Sequence, residues 1–306
     1  MPSKTKLAAV AATVAVLLPL SACGGNPTTA GSSGGSSTIA IGSANFPENE
    51  LLAEMYAQAL EAKGVTVQRH LNIGARERYL AALKDGSINM VPEYNGALLA
   101  ALSKGGVVPK DINTADEVNQ ALKKVLPAGT EILQSSPAED KDTLSVMPKT
   151  AAKYHLKAIP DLKPVAGKLV LGGPPEFAKR YQGVVGLKSV YGVVFKDFKP
   201  LDVGGPLTKA ALTKGDIDVA NIFSTDPAIR TDHFVVLADP KNLFGAQNVT
   251  PVIAKSKASS KVVSAINAVS AALTTKSLTK YLTEVQVDKK DPASVAKEFL
   301  DANNLD

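Results

Sequence analysis

Two aromatic rings stand at matched positions of an internal repeat, and they are the side chains of this sequence best suited to holding a cation. The segment AALKDGSINMVPEYNG at 81–96 recurs without a gap as AALTKGDIDVANIF at 210–223, so that Tyr94 corresponds to Phe223. Ring faces attract cations, including those that cannot donate hydrogen bonds. The alternative is a pair of ordinary core aromatics in a duplicated unit, because aromatic residues on strands often pack in the core.

The elements around the two rings are predicted to be the same. Each copy predicts the end of an amphipathic helix, a glycine turn and a short apolar strand that ends at the ring. The apolar runs IAIG at 39–42 and LVLG at 169–172 also match. In the second half, 187–191 is predicted to be a short helix and 193–195 the start of a strand. This alternation predicts an α/β fold with mixed, mostly parallel sheets flanked by helices.

Polar and aromatic side chains follow the first two predicted strands. Ligands of parallel sheets bind at the carboxyl ends of the strands. Asn45, Phe46 and Asn49 follow the first strand, and Arg76 lies in the turn after the second. We therefore expect these four side chains, with Tyr94, to border a ligand site.

Length and composition describe a globular protein of two domains. The chain has 306 residues, 45% hydrophobic and 21% charged, and a formal net charge of +5. This charge is mild, and no basic stripe alternates with aromatic residues. The composition therefore gives no reason to expect a nucleic-acid partner.

The sequence offers no constellation for catalysis or for a metal. His70, His155 and His233 are scattered and have no cysteine or carboxylate at ligand spacing. Neither a nucleophile elbow nor a phosphate-binding loop is present. We therefore predict a protein that is not an enzyme and that holds no metal or cofactor.

The N-terminus is typical of an exported lipoprotein. Lys4 and Lys6 precede an apolar run at 7–20 that is short for a membrane span. The run ends in Leu-Ser-Ala-Cys, like a bacterial lipobox, which predicts a signal peptide at 1–22 and lipidation of Cys23. Residues 23–37, rich in Gly, Ser and Thr, then form a flexible tether outside the membrane. The alternative is a plain signal peptide with a chance cysteine.

Five motifs stand in order across roughly 38–303: IGSANF at 41–46, GSIN at 86–89, Pro-Glu-Tyr-Asn-Gly at 92–96, LGGPPEF at 171–177 and Thr-Asp at 225–226. This ordered set resembles the substrate-binding lipoproteins of osmoprotectant ABC transporters, which bind glycine betaine, carnitine and choline. The Pro-Glu-Tyr-Asn-Gly motif is its most specific piece.

The resemblance implies a two-lobed periplasmic-binding-protein fold, type II-like, with two crossover strands as the hinge. We assign 38–136 and 246–306 to the first lobe and 137–245 to the second. It also implies a monomer on the extracytoplasmic face of the cell membrane, which delivers a small solute to an ABC permease.

The resemblance also implies a cage of aromatic rings around a quaternary ammonium. Tyr94 matches the cage tyrosine of the first lobe, and Phe223 precedes the Thr-Asp pair of the second. Hinge closure would bring these two rings to opposite sides of the solute. Phe244, Thr225 and Asp226 complete the residues that the resemblance assigns to the site.

The chain departs from the family pattern at the lobe crossing, where AEDKDT at 138–143 replaces an aromatic stretch. Asp140 or Asp142 would then pair with a cation directly, and Arg76 would bind a ligand carboxylate through two hydrogen bonds. The alternative for Asp140 and Asp142 is a polar hinge, and the alternative for Arg76 is an ordinary surface salt bridge.

Two other functions fit the same sequence. The cleft of this fold would equally serve a receptor for a different polar, hydroxylated or zwitterionic solute. A lipoprotein that senses a ligand without transport is the second possibility, and the presence of permease and ATPase genes beside this gene would separate it from a transporter component.

Overall fold

The computed structural model describes residues 38–108, 112 and 114–306. The predicted signal peptide, Cys23 and the tether to residue 37 lie outside these residues.

The described residues form two five-stranded sheets, and the lobes of the molecule are defined here by these sheets. The strands of the first sheet are β1 (Ile39–Ala44), β2 (Val67–Gly74), β3 (Met90–Tyr94), β4 (Thr130–Ile132) and β10 (Val249–Ala254). Those of the second are β5 (Asp142–Val146), β6 (Val170–Gly173), β7 (Asp197–Pro200), β8 (Val219–Phe223) and β9 (Val235–Leu237).

The two sheets share one topology. The strand orders are β2-β1-β3-β10-β4 and β7-β6-β8-β5-β9. β10 in the first sheet and β5 in the second run antiparallel to both of their neighbours, and the other pairs are parallel. The predicted two-lobed α/β fold with mostly parallel sheets is therefore confirmed. The boundaries assigned at 136/137 and 245/246 stay a prediction.

Helices flank both sheets. The α-helices are α1 (Pro47–Ala62), α2 (Arg76–Asp85), α3 (Asn95–Leu102), α4 (Ala115–Val125), α5 (Pro148–Tyr154), α6 (Pro206–Lys214), α7 (Ala228–Thr231), α8 (Ser260–Ala272), α9 (Thr275–Gln286) and α10 (Pro292–Asn303). Shorter helical turns are Lys104–Gly106, Ile159–Leu162, Ala166–Lys168, Pro175–Ala178, Tyr181–Val185, Leu187–Tyr191 and Lys255–Lys257.

The internal repeat is a structural duplication. α2 and α6 each end at a glycine in the left-handed region, Gly86 with φ 84° and Gly215 with φ 85°, a conformation that glycine adopts without steric cost. Ile88 and Ile217 follow in the two copies, and both are buried. Ile88 packs closely on Gly42 of β1, where an added Cβ would lie 2.6 Å from the isoleucine Cδ1. Ile217 packs in the same way on Gly172 of β6, where the corresponding distance would be 2.5 Å.

The next residue of each copy ties its loop to the neighbouring strand. Asn89 accepts a hydrogen bond from the Ala40 backbone N–H at 3.0 Å, and Asp218 accepts one from Val170 at 2.9 Å. Because these contacts join residues far apart in sequence, the two repeats fix the register between strands as well as the local turn.

Two crossings connect the lobes, and they pair with each other. The backbone N–H of Val249 donates to Ala138 at 3.0 Å, and that of Asp140 donates to Gln247 at 3.1 Å. A two-stranded connection of this kind permits rotation of one lobe against the other, as in hinge closure.

Some elements differ from the sequence-based prediction. The strand expected at 193–195 is wrong: the strand begins at Asp197, because the chain before it still closes the helical turn, with Val193 N–H donating to the Leu187 carbonyl at 3.0 Å. Helix α9 was not predicted. It begins with a capping box in which Thr274 and Ser277 exchange hydrogen bonds.

Candidate functional site

A cleft of about 620 Å³, its open mouth included, lies between the carboxyl ends of strands from both sheets. Such strand ends are the usual place for ligands in open α/β sheets. The residues that line it are Ala44, Phe46, Ala75, Arg76, Tyr79, Tyr94, Ala97, Asp140, Asp142, Pro174, Glu176, Phe177, Arg180, Gln182, Val203, Asn221, Phe223 and Gln247.

Three stacked rings form an aromatic wall of this cleft. Phe46 stacks on Phe223 with 5.2 Å between ring centroids and on Tyr94 with 6.2 Å. The structure therefore differs from the expected clamp of two opposed rings, since Phe46 contacts both and joins them into one surface. Phe177, on the helical turn after β6, and Tyr79 on α2 add two further rings to the lining.

Glu48 at the start of α1 joins the two lobes behind the aromatic wall. Its carboxylate accepts a hydrogen bond from the Tyr94 hydroxyl at 2.7 Å and one from the Thr225 hydroxyl at 2.5 Å. Tyr94 belongs to the first sheet and Thr225 follows β8 of the second. Burial raises the pKa of Glu48, although the hydrogen bonds from Thr225 and Tyr94 oppose this rise.

Asp140 lies in the first crossing and is only 2% exposed. Its carboxylate accepts hydrogen bonds from the Thr225 backbone N–H at 3.0 Å and the Ser224 hydroxyl at 3.2 Å. Burial raises the pKa of Asp140 well above its ordinary value, and the neighbouring charge of Glu48 adds to the rise. Asp140 therefore borders the cleft as a buried carboxyl group whose charge is costly without a cation.

Asp142 begins β5 and lines the cleft from the second sheet. The side-chain amide of Asn221 on β8 donates to it at 2.9 Å. Burial raises its pKa, while the amide hydrogen bond and the nearby guanidinium groups of Arg180 and Arg76 oppose the rise.

Arg76 lines the cleft, but its Nε–Nη2 edge is already occupied. Nε donates to Glu93 at 2.8 Å and Nη2 donates to the same carboxylate at 3.0 Å. The Tyr79 hydroxyl also donates to Glu93, at 2.7 Å. The fork expected to bind a ligand carboxylate therefore holds a protein carboxylate, and the Arg76 pair is largely buried rather than the surface salt bridge considered as its alternative.

The residues of the Pro-Glu-Tyr-Asn-Gly motif make specific contacts in the structure. Glu93 positions Arg76 and Tyr79, and Asn95 Oδ1 accepts hydrogen bonds from the backbone N–H groups of Gly96 and Asn248, both at 2.8 Å. A Cβ on Gly96 would lie 2.0 Å from the Ala246 carbonyl oxygen, so no larger residue fits without movement. The motif thus joins the cleft to the second crossing.

Polar contacts bridge the lobes on two sides of the cleft. Arg180 donates to Glu77 on α2 at 3.1 Å. Lys209 on α6 contacts Asp226 at 2.9 Å and Gln286 on α9 at 2.7 Å. The two lobes are therefore in contact, as in a closed receptor.

Five of the expected site residues lie outside the cleft lining. Asn45 is exposed beyond β1. Both ends of the Asn49 amide are engaged, with the Ala44 N–H at 2.7 Å and the Pro92 carbonyl at 3.0 Å. Asp226 pairs with Lys209 and accepts from the Ala228 N–H at the start of α7. Phe244 is 2% exposed and stacks on Phe177 at 6.3 Å, so it supports a lining ring from the core of the second lobe.

Thr225 also lies behind the cleft, where it contacts Glu48 and Asp140 rather than forming part of the lining.

Several lining residues were missed from the sequence. The position of Asn221 in the cleft could have been predicted, because it precedes Phe223 by two residues on the same strand. Side chains two residues apart on a strand share a face. Phe177 stands inside the LGGPPEF motif. Tyr79 on α2 and Gln182 in the helical turn Tyr181–Val185 carried no comparable signal. Neither did Glu48, which lies behind the aromatic wall and contacts Tyr94 and Thr225 from different lobes.

Among the residues that the structure describes, no group of three or more His, Cys, Asp and Glu side chains is arranged to hold a metal ion. In the same part of the chain, no helix combines the length and apolar character that crossing a bilayer requires.

Residues 37–302 match the family model for the substrate binding domain of ABC-type glycine betaine transport systems. The chain belongs to this family. The carnitine transport binding protein OpuCC of Listeria monocytogenes serotype 1/2a is 26% identical over 280 residues, which cover 89% of each chain. The glycine-betaine-binding protein of Pseudomonas aeruginosa is 23% identical over 283 residues, which cover 88% of each chain.

A solved structure confirms the fold of this OpuAC-family chain. The crystal structure of a glycine betaine/carnitine/choline ABC transporter aligns at a TM-score of 0.68 and 25% identity, over 87% of this chain and 99% of that chain. The family consists of transporter substrate-binding proteins and is not a class of enzymes.

Proposed function

We propose that this chain is an extracytoplasmic lipoprotein, anchored through Cys23, that captures a small quaternary ammonium solute and delivers it to an ABC permease. The observation that carries the proposal is the aromatic wall of Phe46, Tyr94 and Phe223 beside the carboxyl groups of Asp140 and Asp142. A quaternary ammonium cannot donate hydrogen bonds, so ring faces and carboxylates are the groups that favour it.

The energetic scale fits a solute receptor. A desolvated cation gains about 2 kcal/mol from an aromatic face. A cation beside Asp140 and Asp142 also offsets the cost of keeping these two cleft carboxylates charged. The relatives named for carnitine and glycine betaine support this ligand class.

Closure of the lobes around the solute is the second part of the proposal. The contacts from Thr225 to Glu48 and from Lys209 to Gln286 join the lobes and require them to be close. A permease would then distinguish the closed, loaded monomer from the open one.

A second candidate is a receptor for another polar, hydroxylated or zwitterionic solute. Arg76, Arg180 and Gln182 border the same cleft and provide hydrogen-bond donors that an ammonium group does not use.

Calorimetry of the mature protein tests the two candidates. Glycine betaine, choline, carnitine, proline and uncharged polyols are titrated in turn. We expect at least one quaternary ammonium to bind while proline and the polyols do not. If an uncharged solute binds and no quaternary ammonium does, the first candidate fails and the second is favoured.

A further inference from the structure

Glu48 is a buried carboxyl group that lies behind the aromatic wall and outside the lining of the cleft, with 2% of its surface exposed. Within the described residues it forms no ion pair with Lys, Arg or His. Hydroxyl groups engage both of its oxygens, Tyr94 at Oε1 and Thr225 at Oε2. A buried carboxylate without a cation is costly, so these surroundings favour the protonated form of Glu48.

A second carboxyl group, that of Asp140, lies beside Glu48. Thr225 bridges the two, because its hydroxyl contacts Glu48 at 2.5 Å and its backbone N–H donates to Asp140 at 3.0 Å. The Asp140 side chain is also within hydrogen-bonding reach of Glu48. Two ionised carboxylates offer only acceptors and repel each other, whereas one proton between them supplies a donor. The pair is therefore arranged to hold one proton.

The charged and titratable groups that face Glu48 from the neighbouring elements do not replace this proton. Asp226, which follows β8, adds negative charge near Glu48. Lys209 on α6 compensates the charge of Asp226 through a contact of 2.9 Å. The Tyr94 hydroxyl stays protonated, because burial raises its pKa well above the ordinary value. The proton that balances the pair therefore has to come from solvent.

Asp140 has different surroundings, because it lines the cleft and Glu48 does not. Asp142 lies in the same lining and adds negative charge near Asp140. The guanidinium groups of Arg76 and Arg180 act on Asp142, and each is held by a glutamate. A cationic solute in the cleft acts on Asp140 directly and favours its ionised form. In a loaded receptor the proton of the pair therefore resides on Glu48.

The burial of Glu48 depends on contact between the lobes. Glu48 begins α1 of the first lobe and borders a narrow gap whose far wall consists of second-lobe residues, Val203, Gly204, Phe223, Thr225 and Asp226. Separation of the lobes removes the Thr225 hydroxyl and opens this gap to water. Glu48 of an open receptor is then hydrated and titrates near its ordinary pKa of 4.5, whereas burial in the closed receptor raises that pKa.

We propose that closure of the lobes creates a proton-binding site at Glu48, so that capture of the solute is coupled to the uptake of one proton. Below the ordinary pKa of Glu48, both states hold the proton and the coupling vanishes. As the pH rises from there to the raised pKa of the closed state, the affinity for the solute falls by at most tenfold for each pH unit. This inference rests on the proposed capture of a quaternary ammonium solute by closure.

The first test measures proton uptake by calorimetry of the wild-type mature protein. Glycine betaine and choline are each titrated at several pH values between pH 5 and pH 8, in buffers that differ in ionisation enthalpy. Neither compound titrates in this range, so any exchanged proton belongs to the protein. We expect uptake of about half a proton or more per bound solute near the acidic end, and an affinity at least fivefold tighter at pH 5 than at pH 8.

The second test assigns the proton to Glu48. Glu48→Gln keeps the size of the side chain but does not titrate, so the uptake should disappear and the affinity should change less than twofold between pH 5 and pH 8. Asp288→Asn, in the exposed loop between α9 and α10, is the matched control and should behave as the wild type does. Thermal unfolding checks that each variant is folded, and the wild-type buffer series tests the coupling even where Glu48→Gln is not.

The outcomes separate the inference from the proposed function. If a quaternary ammonium binds but its heat is the same in all buffers and its affinity is constant over the range, the inference is overturned and the proposed function stands. The same uptake in folded Glu48→Gln also overturns it, because the proton then binds elsewhere. If neither compound binds at any pH, the proposed function fails and the inference fails with it.

Discussion

Tyr94 and Phe223 end equivalent strands of the two lobes, yet their surroundings differ. Tyr94 is 6% exposed, and its hydroxyl donates to Glu48 across the start of α1. Phe223 is partly exposed, has no hydroxyl and lies directly against Phe46. One ring is thus held by a hydrogen bond to a buried carboxyl group, and the other lies against a neighbouring ring.

Elsewhere the two copies agree closely. Ile88 and Ile217 fill the same space against a strand glycine, and Asn89 and Asp218 make the same side-chain to backbone hydrogen bond. The positions that agree make contacts within a lobe, whereas the positions that differ lie where the lobes meet. The duplication therefore supplies the scaffold, and its divergence supplies the site.

The largest effect on stability should come from removing the isoleucine–glycine contact that both copies make. Ile88→Ala and Ile217→Ala each leave a cavity beside a glycine that cannot fill it, and we expect each to reduce the free energy of unfolding by about 2–5 kcal/mol. Urea unfolding measures both. A cost below about 1 kcal/mol for only one of them would show that the two contacts are not equivalent.

Truncating the rings should separate their roles. We expect Phe223→Ala to weaken the bound quaternary ammonium at least tenfold, about 1.4 kcal/mol, with a small change in stability because the ring is partly exposed. Tyr94→Ala should weaken binding similarly and also destabilise the protein, since Glu48 loses a buried hydrogen bond.

Tyr94→Phe is the matched control, because it removes only the hydroxyl. Calorimetry should give an affinity within threefold of the wild type. Unchanged affinity in Tyr94→Ala would instead mean that Tyr94 acts only as a core residue.

The stability of the folded protein should depend on pH through the two buried carboxyl groups near Tyr94, those of Glu48 and Asp140. Burial raises the pKa of Glu48 above its ordinary value of 4.5 and raises that of Asp140 as well. The folded protein then keeps protons that the unfolded chain has released. Stability from these groups is fully present below their ordinary pKa values and is lost as pH rises through the raised pKa values. Each group that keeps its proton costs at most about 1.4 kcal/mol of stability for every pH unit climbed within that window.

Glu48→Gln keeps one acceptor oxygen and replaces the other with an NH2 group, which can donate to a hydroxyl oxygen, and it does not titrate. Denaturant unfolding between pH 4 and pH 8 should therefore show a shallower loss of stability in Glu48→Gln than in the wild type. Asp288→Asn, which neutralises an exposed carboxylate, should follow the wild type, and parallel curves for all three proteins would contradict the burial of a proton at Glu48.

The helix, turn and strand of the duplicated unit could be predicted from the sequence because the patterns that mark them are local. Gly86 and Gly215 mark helix ends, and the apolar runs that follow mark strands. The lining positions of Tyr94 and Phe223 follow from strand ends, which periodicity and turn residues locate well. Asp142 was expected only from the resemblance, at the lobe crossing, and it begins β5.

Residues in loops and at helix starts were harder to predict. Phe244 was expected in the cleft but packs behind Phe177, because the direction of a loop side chain depends on the core that receives it. Glu48 and Gln182 acquire their surroundings only when the lobes meet. No pattern within one lobe records such a contact, so physical reasoning from sequence cannot reach it.

The most direct measurement compares choline with 3,3-dimethylbutan-1-ol, in which carbon replaces the charged nitrogen and the shape is kept. If the aromatic wall and the two aspartates recognise the cation, calorimetry should show choline binding at least tenfold more tightly than the neutral alcohol, and Phe223→Ala should reduce this difference. Equal affinities for the two compounds would contradict a site built for a quaternary ammonium.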